Sequence, residues 1–581
     1  SIEIVQPAHS PFDRIRCAVF HRLTVGLPSQ QGRLLGSIVF GASAFPVFPE
    51  ERERYTLVGL AHILAASGLQ VSLLLGVFAM PLARRHRFTG CMAGAFAIGG
   101  YLFLAGESPS ILRAALMGGG TLLGLFFRRP LLAYVSLWGS ALLLLVWEPP
   151  LLQNLGFQFS FLATWALLHT MPRIASRLPF PAFLSQALGS ILAVTCWVLP
   201  LQLHHFGTVT PFGILANLVA GPLVDGITVL GFASIPLSFV PGLGPLLTRL
   251  NGGLITGLDR WVSLLLALPG SHVCFHFPLA LLLFSYACLL LFFLLPKERG
   301  WLWGPMLLLG TILALSPHPA EAYFLSVGQG DAIAIRTRHD RWILVDAGPS
   351  GRFDAGEKII VPFLRRMGCN RIDLLVLTHP HADHQGGLHA SLRAFPVAKA
   401  WESGLSDPLS NEPLAEFLLR GIPFERPQPG ATVELDGVTL RNLSPREPLS
   451  NTRSDANNSS LVLRLETRNW RVLLVGDAER ELEEWLLQHP SELRAEVLKV
   501  AHHGSRFGSS HAFLKAVRPR LGILSVGPNP FKQPNGETLS RLRSRMRTMR
   551  TDEGAIRLSF GERLTAENSR GDRFDLPAHP W

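Results

Sequence analysis

The segment from Leu57 to Leu315 is a succession of apolar stretches separated by short polar loops. A helix that crosses a membrane needs about 20 largely apolar residues, with about 17 as a lower limit. Only 16% of the residues in the chain are charged, whereas about 25% is usual in soluble domains. The segment 57–315 is therefore predicted to be a polytopic α-helical membrane domain. About ten spans are predicted, at residues 57–79, 91–105, 111–127, 131–147, 154–170, 187–203, 211–234, 252–268, 278–295 and 301–315.

Residues 1–56 precede the apolar domain and are predicted to form an amphipathic, interfacial segment. Between Pro11 and Leu27, arginines and a histidine alternate with isoleucine, valine, phenylalanine and leucine. This pattern is typical of a helix that lies on a membrane surface, although an ordinary surface helix has it as well. The stretch from Leu34 to Phe45 is apolar but too short to cross a membrane.

The loops between the predicted spans differ in charge, and this difference predicts the orientation of the domain. Every second loop is basic, and the others carry no Lys or Arg. The basic loops contain Arg84, Arg85, Arg87, Arg128, Arg129, Arg173, Arg177, Arg249, Lys297 and Arg299. Because basic loops stay in the cytoplasm, an even number of spans would place the region after residue 315 on the outer face of the cytoplasmic membrane. One span more or fewer would reverse this orientation.

Polar side chains within the predicted spans are candidates for lining an aqueous path, because polar groups at membrane depth are costly. The candidates are His62, Arg113, Gln158, Asn217 and Asp225. Glycines 118–120 and Pro222 interrupt two spans, and interrupted backbone is tolerated only inside the protein or beside water. A channel fits these features, and so does tight helix packing through small residues and interhelical hydrogen bonds.

Beyond residue 320 the pattern changes to short apolar runs that are typical of strands. The run from Ile372 to Leu377 is branched and bounded by polar residues, as expected of a buried strand. It leads into the segment from Thr378 to His384, where three imidazoles and a carboxylate share one sheet edge. Groups so dense repel or desolvate one another unless a metal offsets the cost. Imidazole and carboxylate suit zinc and similar metals; the alternative is a polar turn whose histidines have no role.

The spacing His-x-His-x-Asp-His resembles the metallo-β-lactamase superfamily, over a region from about Ala320 to the C-terminus. This resemblance and the alternation of strands with helices favour an α/β metallo-β-lactamase-like αββα sandwich over residues 320–581. The resemblance implies two divalent metal ions, manganese or zinc, because the ligand types do not separate them. One metal would be bound by His379 and His381, and the other by Asp383 and His384.

Two later strands end in residues that match the rest of such a centre. The run from Val472 to Val475 leads into Asp477, which the resemblance implies to be the bridge between both metals. The run from Val497 to Val500 leads into His502 and His503, and one of these two would complete the second metal. The six cysteines form no close pair, so the ligands are expected to be histidine and aspartate.

The chemistry expected of this centre is hydrolysis of a phosphodiester, because two metals can activate water and stabilise charge on phosphate oxygens. Asp383 and Asp477 would hold the metals in place. Lys499, His502 or His503 would steady the phosphate or protonate the leaving oxygen, and the sequence does not assign these roles among them.

The match to the superfamily is incomplete at several positions. Ser326 and Gln533 replace an aspartate and a histidine that are often seen there, and the segment 457–460 lacks a histidine found in many relatives. This gap would leave an open coordination position, which suits water or substrate binding. Asp331 and Asp346 are expected to support the ligands or the fold rather than to bind metal.

The membrane segment carries a second resemblance, to the ComEC competence family. Residues 59–69, 109–117, 156–163 and 211–222 match motifs of that family, although Gln70 stands where a histidine is common. Members usually carry a further N-terminal oligonucleotide-binding domain. Because that domain is not seen here and the first residue is serine, an N-terminal part is expected to be missing.

Together the two resemblances imply DNA uptake across the bacterial cytoplasmic membrane during natural transformation. The membrane domain would pass one strand inward, and the outer domain would degrade the other strand as a metal-dependent deoxyribonuclease. The implied partners are DNA, membrane lipid, a DNA-receptor protein and a separate cytosolic motor driven by ATP, with a homo-oligomer left open. A separate motor is expected because the chain has no phosphate-binding glycine-rich loop with its lysine.

A basic balance of +11 agrees with a polyanionic partner or a membrane surface. Arginines crowd one predicted helix, at residues 537–546, and its flank, with more basic residues nearby. They are Arg541, Arg543, Arg545, Arg547 and Arg550, with Lys515, Arg518 and Arg520. Such residues give salt-dependent affinity for phosphates, and a solvated basic helix is the alternative.

Two other functions fit the sequence. One is a membrane-tethered hydrolase of another phosphoester, without transport. The other is a DNA transporter whose metal domain binds DNA without cleaving it, and the departures at Ser326 and Gln533 are compatible with this function.

Overall fold

The computed structural model describes residues 11–65, 68–128, 132–240, 242–294, 309–310, 318–351, 353–404 and 412–577. Two compact units divide the chain, the first formed by residues 1–273 and 279–299 and the second by residues 274–278 and 300–581. The first unit is helical and the second is rich in β-sheet. A polytopic helical domain followed by an αββα sandwich is therefore confirmed as the fold class.

The helices of the first unit follow the predicted spans closely in most of the sequence. They are α1 (Pro11–Thr24), α2 (Ser29–Phe40), α3 (Pro49–Leu57), α4 (Gly68–Leu74), α5 (Met80–Arg85), α6 (Arg87–Ala105), α7 (Pro109–Phe127), α8 (Ala133–Trp147), α9 (Leu155–His169), α10 (Met171–Ala175), α11 (Ala182–Phe206), α12 (Gly213–Leu237), α13 (Leu243–Ala267) and α14 (Leu279–Leu294). Four of them, α6, α7, α11 and α12, are long and apolar enough to cross a membrane. The predicted span 301–315 lies outside the described residues except for 309–310.

The predicted span 57–79 is wrong as a single helix. Helix α3 ends at Leu57, a short 3-10 turn covers Ala61–Leu64, and the described part of α4 is Gly68–Leu74. Gly59 has a φ of +80°, and a Cβ at this position would lie 2.7 Å from the Thr210 Oγ1 atom. A left-handed residue cannot continue a helix, so the close approach of a distant segment breaks the apolar run.

The N-terminal helices belong to the core of the first unit. Leu34, Leu35 and Ile38 on α2 are fully buried, and they share one apolar cluster with residues of α12 and α13. A Cβ on Gly231 of α12 would lie 2.6 Å from the Val39 Cγ2 atom, so small residues set the spacing of these helices. Helix α2 is therefore packed into the first unit, and the interfacial position of residues 1–56 stays a prediction.

The second unit contains two sheets built from alternating strands and helices. Its strands are β1 (Ala320–Phe324), β2 (Ile333–Arg336), β3 (Trp342–Val345), β4 (Leu374–Val376), β5 (Ala400–Trp401), β6 (Phe424–Glu425), β7 (Thr432–Leu435), β8 (Val438–Asn442), β9 (Leu463–Glu466), β10 (Arg471–Leu474), β11 (Val497–Lys499), β12 (Leu521–Leu524), β13 (Arg547–Arg550), β14 (Ile556–Phe560), β15 (Arg563–Asn568) and β16 (Arg573–Pro577). Its helices are α15 (Val361–Arg366), α16 (Ala382–Gln385), α17 (Leu388–Ala394), α18 (Glu412–Leu419), α19 (Asp455–Asn458), α20 (Arg480–Leu486), α21 (His511–Val517) and α22 (Gly536–Arg543).

The two sheets pack face to face. One has the order β16-β15-β14-β1-β2-β3-β4-β5-β6, and the other the order β13-β12-β11-β10-β9-β8-β7. Alternate residues of both sheets form a shared core that includes Phe324, Val345 and Val472. Separate apolar clusters lie on the outer faces, where residues such as Leu364 and Leu514 come from helices. The layers are therefore helix, sheet, sheet and helix.

Parallel strand pairs bring the candidate ligands to one edge of each sheet. In one sheet β3 and β4 are parallel, and in the other β10, β11 and β12 are parallel. Asp346 and His379 follow β3 and β4, whereas Asp477 and His502 follow β10 and β11. A backbone hydrogen bond of 2.9 Å from Leu461 N to Thr378 O joins the two sheets at this edge.

Candidate metal centre

Asp346 organises the floor of the site. Its Oδ1 atom accepts a hydrogen bond from Thr378 N at 2.8 Å, and its Oδ2 atom accepts one from Thr378 Oγ1 at 2.7 Å. The same Oδ2 atom lies 2.8 Å from His384 Nδ1. A carboxylate that holds one nitrogen of an imidazole directs the other nitrogen outward. Asp346 therefore holds the Nδ1 atom of His384, and its supporting role stays a prediction, because Asp331, Asp346 and His384 also place ligand atoms within 4.8 Å of one another.

His384 presents its free nitrogen to Asp477. The His384 Nε2 atom is 3.4 Å from Asp477 Oδ1 and 4.0 Å from Asp383 Oδ2. Burial works to lower the pKa of His384, but the carboxylates of Asp477 and Asp346 outweigh it and raise this pKa well above its usual value. Two carboxylates next to one buried imidazole give the pocket a negative potential, which favours a cation.

His502 and His503 both face Asp477. The sequence analysis expected one of the two histidines to complete the site. Successive side chains of an extended segment point in opposite directions, but both residues have left-handed backbone, with φ values of 44° and 52°. Their Nε2 atoms lie 3.7 Å and 3.4 Å from Asp477 Oδ2. The His503 Nε2 atom is also 3.3 Å from Asp383 Oδ2, and its Nδ1 atom is 2.7 Å from Ser525 O.

His379 also faces Asp477, and His381 contacts His379. The His379 Nε2 atom lies 3.1 Å from His381 Nδ1 and 3.9 Å from Asp477 Oδ2. Burial and the neighbouring His384 hold the pKa of His379 well below its usual value, so this imidazole is neutral. A neutral imidazole is the form that binds metal.

The donor set fits a divalent metal. One ligand atom from each of Asp383, His384, Asp477 and His503 lies within 4.8 Å of the others. Three of these atoms, His384 Nε2, His503 Nε2 and Asp477 Oδ1, are buried and have no hydrogen-bond partner. Each such atom costs about 1–3 kcal/mol when it is left unsatisfied, and a bound cation would satisfy all three together.

Lys499 lies beneath the ligands rather than in reach of a substrate. It is 1% exposed, it pairs with Asp331, and its Nζ atom donates to Gly476 O at 2.8 Å. A third contact, of 3.6 Å, reaches Asp477 Oδ1. Among Lys499, His502 and His503, which the sequence left open for contact with a phosphate, the geometry disfavours Lys499, because its ammonium group is used within the protein. Asp331 serves as its counterion, which agrees with a supporting role.

Sequence reasoning missed the residues that hold His502. Glu479 is fully buried, and its Oε1 atom is 3.1 Å from His502 Nδ1. Asn457 Nδ2 donates to the same carboxylate at 2.9 Å, at the place where many relatives supply a histidine. The sequence does contain a signal for Glu479, because it is a second acidic residue two positions after Asp477. Gln533 accepts a hydrogen bond of 2.7 Å from Gln329, which ties it to the loop before Asp331.

The predicted basic helix is divided between a helix and a strand. Helix α22 ends at Arg543 and β13 begins at Arg547, so Arg545 lies in the turn between them. Arg541 is partly buried and donates to Gly508 O at 3.2 Å, and Arg550 pairs with Asp552. The arginines recur at every second residue from Arg541 to Arg547. Residues with this spacing share one face of a strand but not of a helix, so the prediction of a single basic helix was wrong. Arg543, Arg545 and Arg547 are exposed.

The candidate path residues in the first unit occupy different environments. Arg113 is buried and contacts Thr164, whereas His62 and Asp225 are exposed. Gln158 Nε2 donates to Leu152 O at 2.8 Å, and Asn217 Nδ2 donates to Gly213 O at 2.7 Å. Among the contacts of the described residues none joins two of these five side chains, so a shared path stays a prediction.

Gly330 packs against the backbone of Asp383, so a substitution at Gly330 tests the position of this candidate ligand. Its φ is +137°, and a Cβ would lie 2.2 Å from Asp383 O. We expect Gly330→Ala to displace Asp383 and to lower metal affinity by about 10- to 100-fold, as measured by metal titration of the full chain. Gly437→Ala is the matched control, because Gly437 also has a positive φ but has no atom within 4 Å of its Cβ position. Equal metal affinities in the two variants would contradict the prediction.

Comparison with known proteins agrees with both parts of this structure. Residues 38–300 match the family model of the competence protein, and residues 325–527 match that of the metallo-β-lactamase superfamily. The chain is 26% identical over 577 residues to ComE operon protein 3 of Bacillus subtilis (strain 168), covering 93% of this chain and 72% of that protein. It is 28% identical over 527 residues to competence protein ComA of Neisseria gonorrhoeae, covering 87% and 71%.

Among solved structures, Zn(2+)-bound PqqB from Methylobacterium extorquens matches with 13% identity and a TM-score of 0.29, covering 40% of this chain and 97% of that one. The chain thus combines a domain of the competence protein family with a domain of the metallo-β-lactamase superfamily, which confirms the resemblance to the ComEC family.

Proposed function

We propose that this protein takes up DNA across the bacterial cytoplasmic membrane during natural transformation. The helical unit passes a single strand inward, and the second unit, on the outer face of the membrane, degrades the other strand as a metal-dependent deoxyribonuclease. The observation that carries the proposal is the combination, in one chain, of a segment that matches the competence protein family with a buried group of imidazoles and carboxylates whose donor atoms fit a divalent metal.

The site residues support phosphodiester hydrolysis through their arrangement around Asp477. The Nε2 atoms of His379, His502 and His503 approach its Oδ2 atom, and that of His384 approaches its Oδ1 atom. Two divalent ions held there would activate water and stabilise charge on the phosphate oxygens. Manganese and zinc both suit these ligands.

The protein's own side chains contribute orientation. Asp346, Glu479 and the backbone carbonyl of Ser525 each hold the Nδ1 atom of one histidine, so that every Nε2 atom points into the site. The side chain of His381 is only half-buried, and Asp383 also borders the open side. A phosphate can therefore approach from the side of His381 and Asp383, while Lys499 remains below.

The test of the proposed function is cleavage by the full chain in detergent with Mn²⁺. We expect labelled duplex DNA to lose one strand, and we expect a chelator or Asp383→Ala to abolish this cleavage. His389→Ala is the matched control, because His389 is an exposed histidine on the next helix that pairs with Glu416. Hydrolysis of a different phosphoester without DNA cleavage would favour the membrane-tethered hydrolase instead.

Uptake by cells separates the nuclease from a DNA-binding domain that does not cleave. We expect Asp383→Ala cells to lose degradation of the second strand. Uptake that remains normal while both strands survive, with a wild-type domain that is inactive in vitro, would support the transporter without a nuclease.

The orientation of the second unit is tested separately. A cysteine-reactive reagent that does not cross membranes should label Arg468→Cys in intact cells, since Arg468 is exposed. Labelling only after lysis would place this unit in the cytoplasm.

A further inference from the structure

A group of side chains beside the metal centre has no role among the predicted ligands. Phe507 lies four residues after His503, and two guanidinium groups flank its ring. The Cζ atom of Arg453 is 3.2 Å from the ring centroid, and that of Arg506 is 4.7 Å away. Both distances are within the range of attractive cation–π contacts.

Arg453 connects this group to the metal centre. Its Nε and Nη2 atoms donate to the two carboxylate oxygens of Glu479, each at 2.7 Å. The same carboxylate holds His502 at 3.1 Å, and His502 faces Asp477. Because its planar fork is occupied by Glu479, Arg453 positions Phe507 and is not available as the main contact for a substrate.

Arg506 is the available cation of the group. It is exposed, and it forms no ion pair with a carboxylate in the part of the chain that the structure describes. The backbone turns sharply before it, since Ser505 N donates to His502 O at 2.7 Å. Three residues span at most about 11 Å, so the Arg506 backbone lies within that distance of His503.

We propose that Arg506, stacked on Phe507, binds the phosphodiester that neighbours the one held at the metal centre, and so forms a subsite for the backbone of a nucleic acid strand. A guanidinium matches phosphate with two parallel N–H donors. Stacking on Phe507 restricts the side chain before binding, which lowers the entropy lost on contact. This inference rests on the proposed function, because it assumes a substrate with consecutive phosphates.

The experiment compares two substrates of the full chain in detergent with Mn²⁺, a short single-stranded oligonucleotide and bis(p-nitrophenyl) phosphate, which has no neighbouring phosphate. We expect Arg506→Ala to raise KM for the oligonucleotide about tenfold, with little change for the small diester. Arg506→Lys should recover part of the loss because it retains the charge. Arg468→Ala is the matched control, since exposed Arg468 precedes β10 at the end of that strand opposite Asp477.

Oligonucleotide binding with a chelator present tests the subsite without cleavage. We expect Arg506→Ala to reduce the slope of log affinity against log salt by about 0.7, the value for one single-strand phosphate. An oligonucleotide with a neutral methylphosphonate in place of the neighbouring phosphate should bind to the wild type as weakly as the unmodified oligonucleotide binds to Arg506→Ala. The same modification should not lower the affinity of Arg506→Ala any further. Wild-type affinity and slope in Arg506→Ala would overturn the inference, even if DNA is cleaved. Absent cleavage of both substrates by wild type would count against the proposed function, and the binding measurement would still decide the subsite.

Discussion

Asp477→Asn is expected to lower DNA cleavage on the order of 10³-fold or more, because this carboxylate faces four of the histidines that are candidate metal ligands. Its Oδ2 atom lies 3.4 Å from His503 Nε2, 3.7 Å from His502 Nε2 and 3.9 Å from His379 Nε2. Its Oδ1 atom lies 3.4 Å from His384 Nε2. An amide presents one oxygen in place of two and carries no charge, so it would hold a divalent cation less tightly than the carboxylate would.

The measurement has two parts, cleavage of labelled DNA and metal content of the purified full chain by elemental analysis. We expect Asp477→Asn to retain less metal than wild type after identical loading, while its secondary structure remains the same. Asp575→Asn is the matched control, because Asp575 is an exposed aspartate that pairs with Arg573 on an outer strand. A variant that binds metal normally and still cleaves DNA would remove Asp477 from the centre.

The strands that carry the ligands could be predicted because each is a short, buried apolar run. The predicted run 372–377 contains β4 at Leu374–Val376, and the run 472–475 overlaps β10 at Arg471–Leu474. Parallel neighbours place their carboxyl ends together, so the spacing of His379, Asp383 and Asp477 was informative. The apolar helices were predictable for the same reason, since length and hydropathy are local properties.

Features that depend on distant contacts could not be predicted. The break at Gly59 follows from its approach to Thr210, far away in the chain. The left-handed backbone at His502 and His503 could not be predicted from residue type, because few residues other than glycine adopt it, although histidine is enriched among those that do. The sequence left Lys499, His502 and His503 open for contact with a phosphate, and it could not show that Lys499 pairs with Asp331 from the distant loop between β1 and β2.

Lys499→Met is expected to reduce the unfolding free energy of the second unit by about 3–5 kcal/mol, because it removes one partner of a buried ion pair. The ammonium group pairs with Asp331 and lies 3.6 Å from Asp477 Oδ1. Burial works to lower the pKa of Lys499, but Asp331 and Asp477 outweigh it and raise this pKa, so the group stays charged. Methionine keeps the volume of the side chain while it leaves the carboxylate of Asp331 buried without its cation.

The loss of stability should be larger after chelation, because bound metal would otherwise neutralise part of the same carboxylate cluster. A urea titration followed by proteolysis of the full chain in detergent, with and without Mn²⁺, measures both values. Asp331→Asn removes the carboxylate charge that Lys499→Met leaves without a partner. The loss of unfolding free energy in the double variant Asp331→Asn, Lys499→Met should therefore be about 1–3 kcal/mol smaller than the sum of the losses in the two single variants. Arg545→Met is the matched control for loss of a cation at an exposed position. If Lys499→Met instead kept full stability and only raised KM for DNA, its ammonium group would face the substrate, and its place beneath the ligands would be refuted.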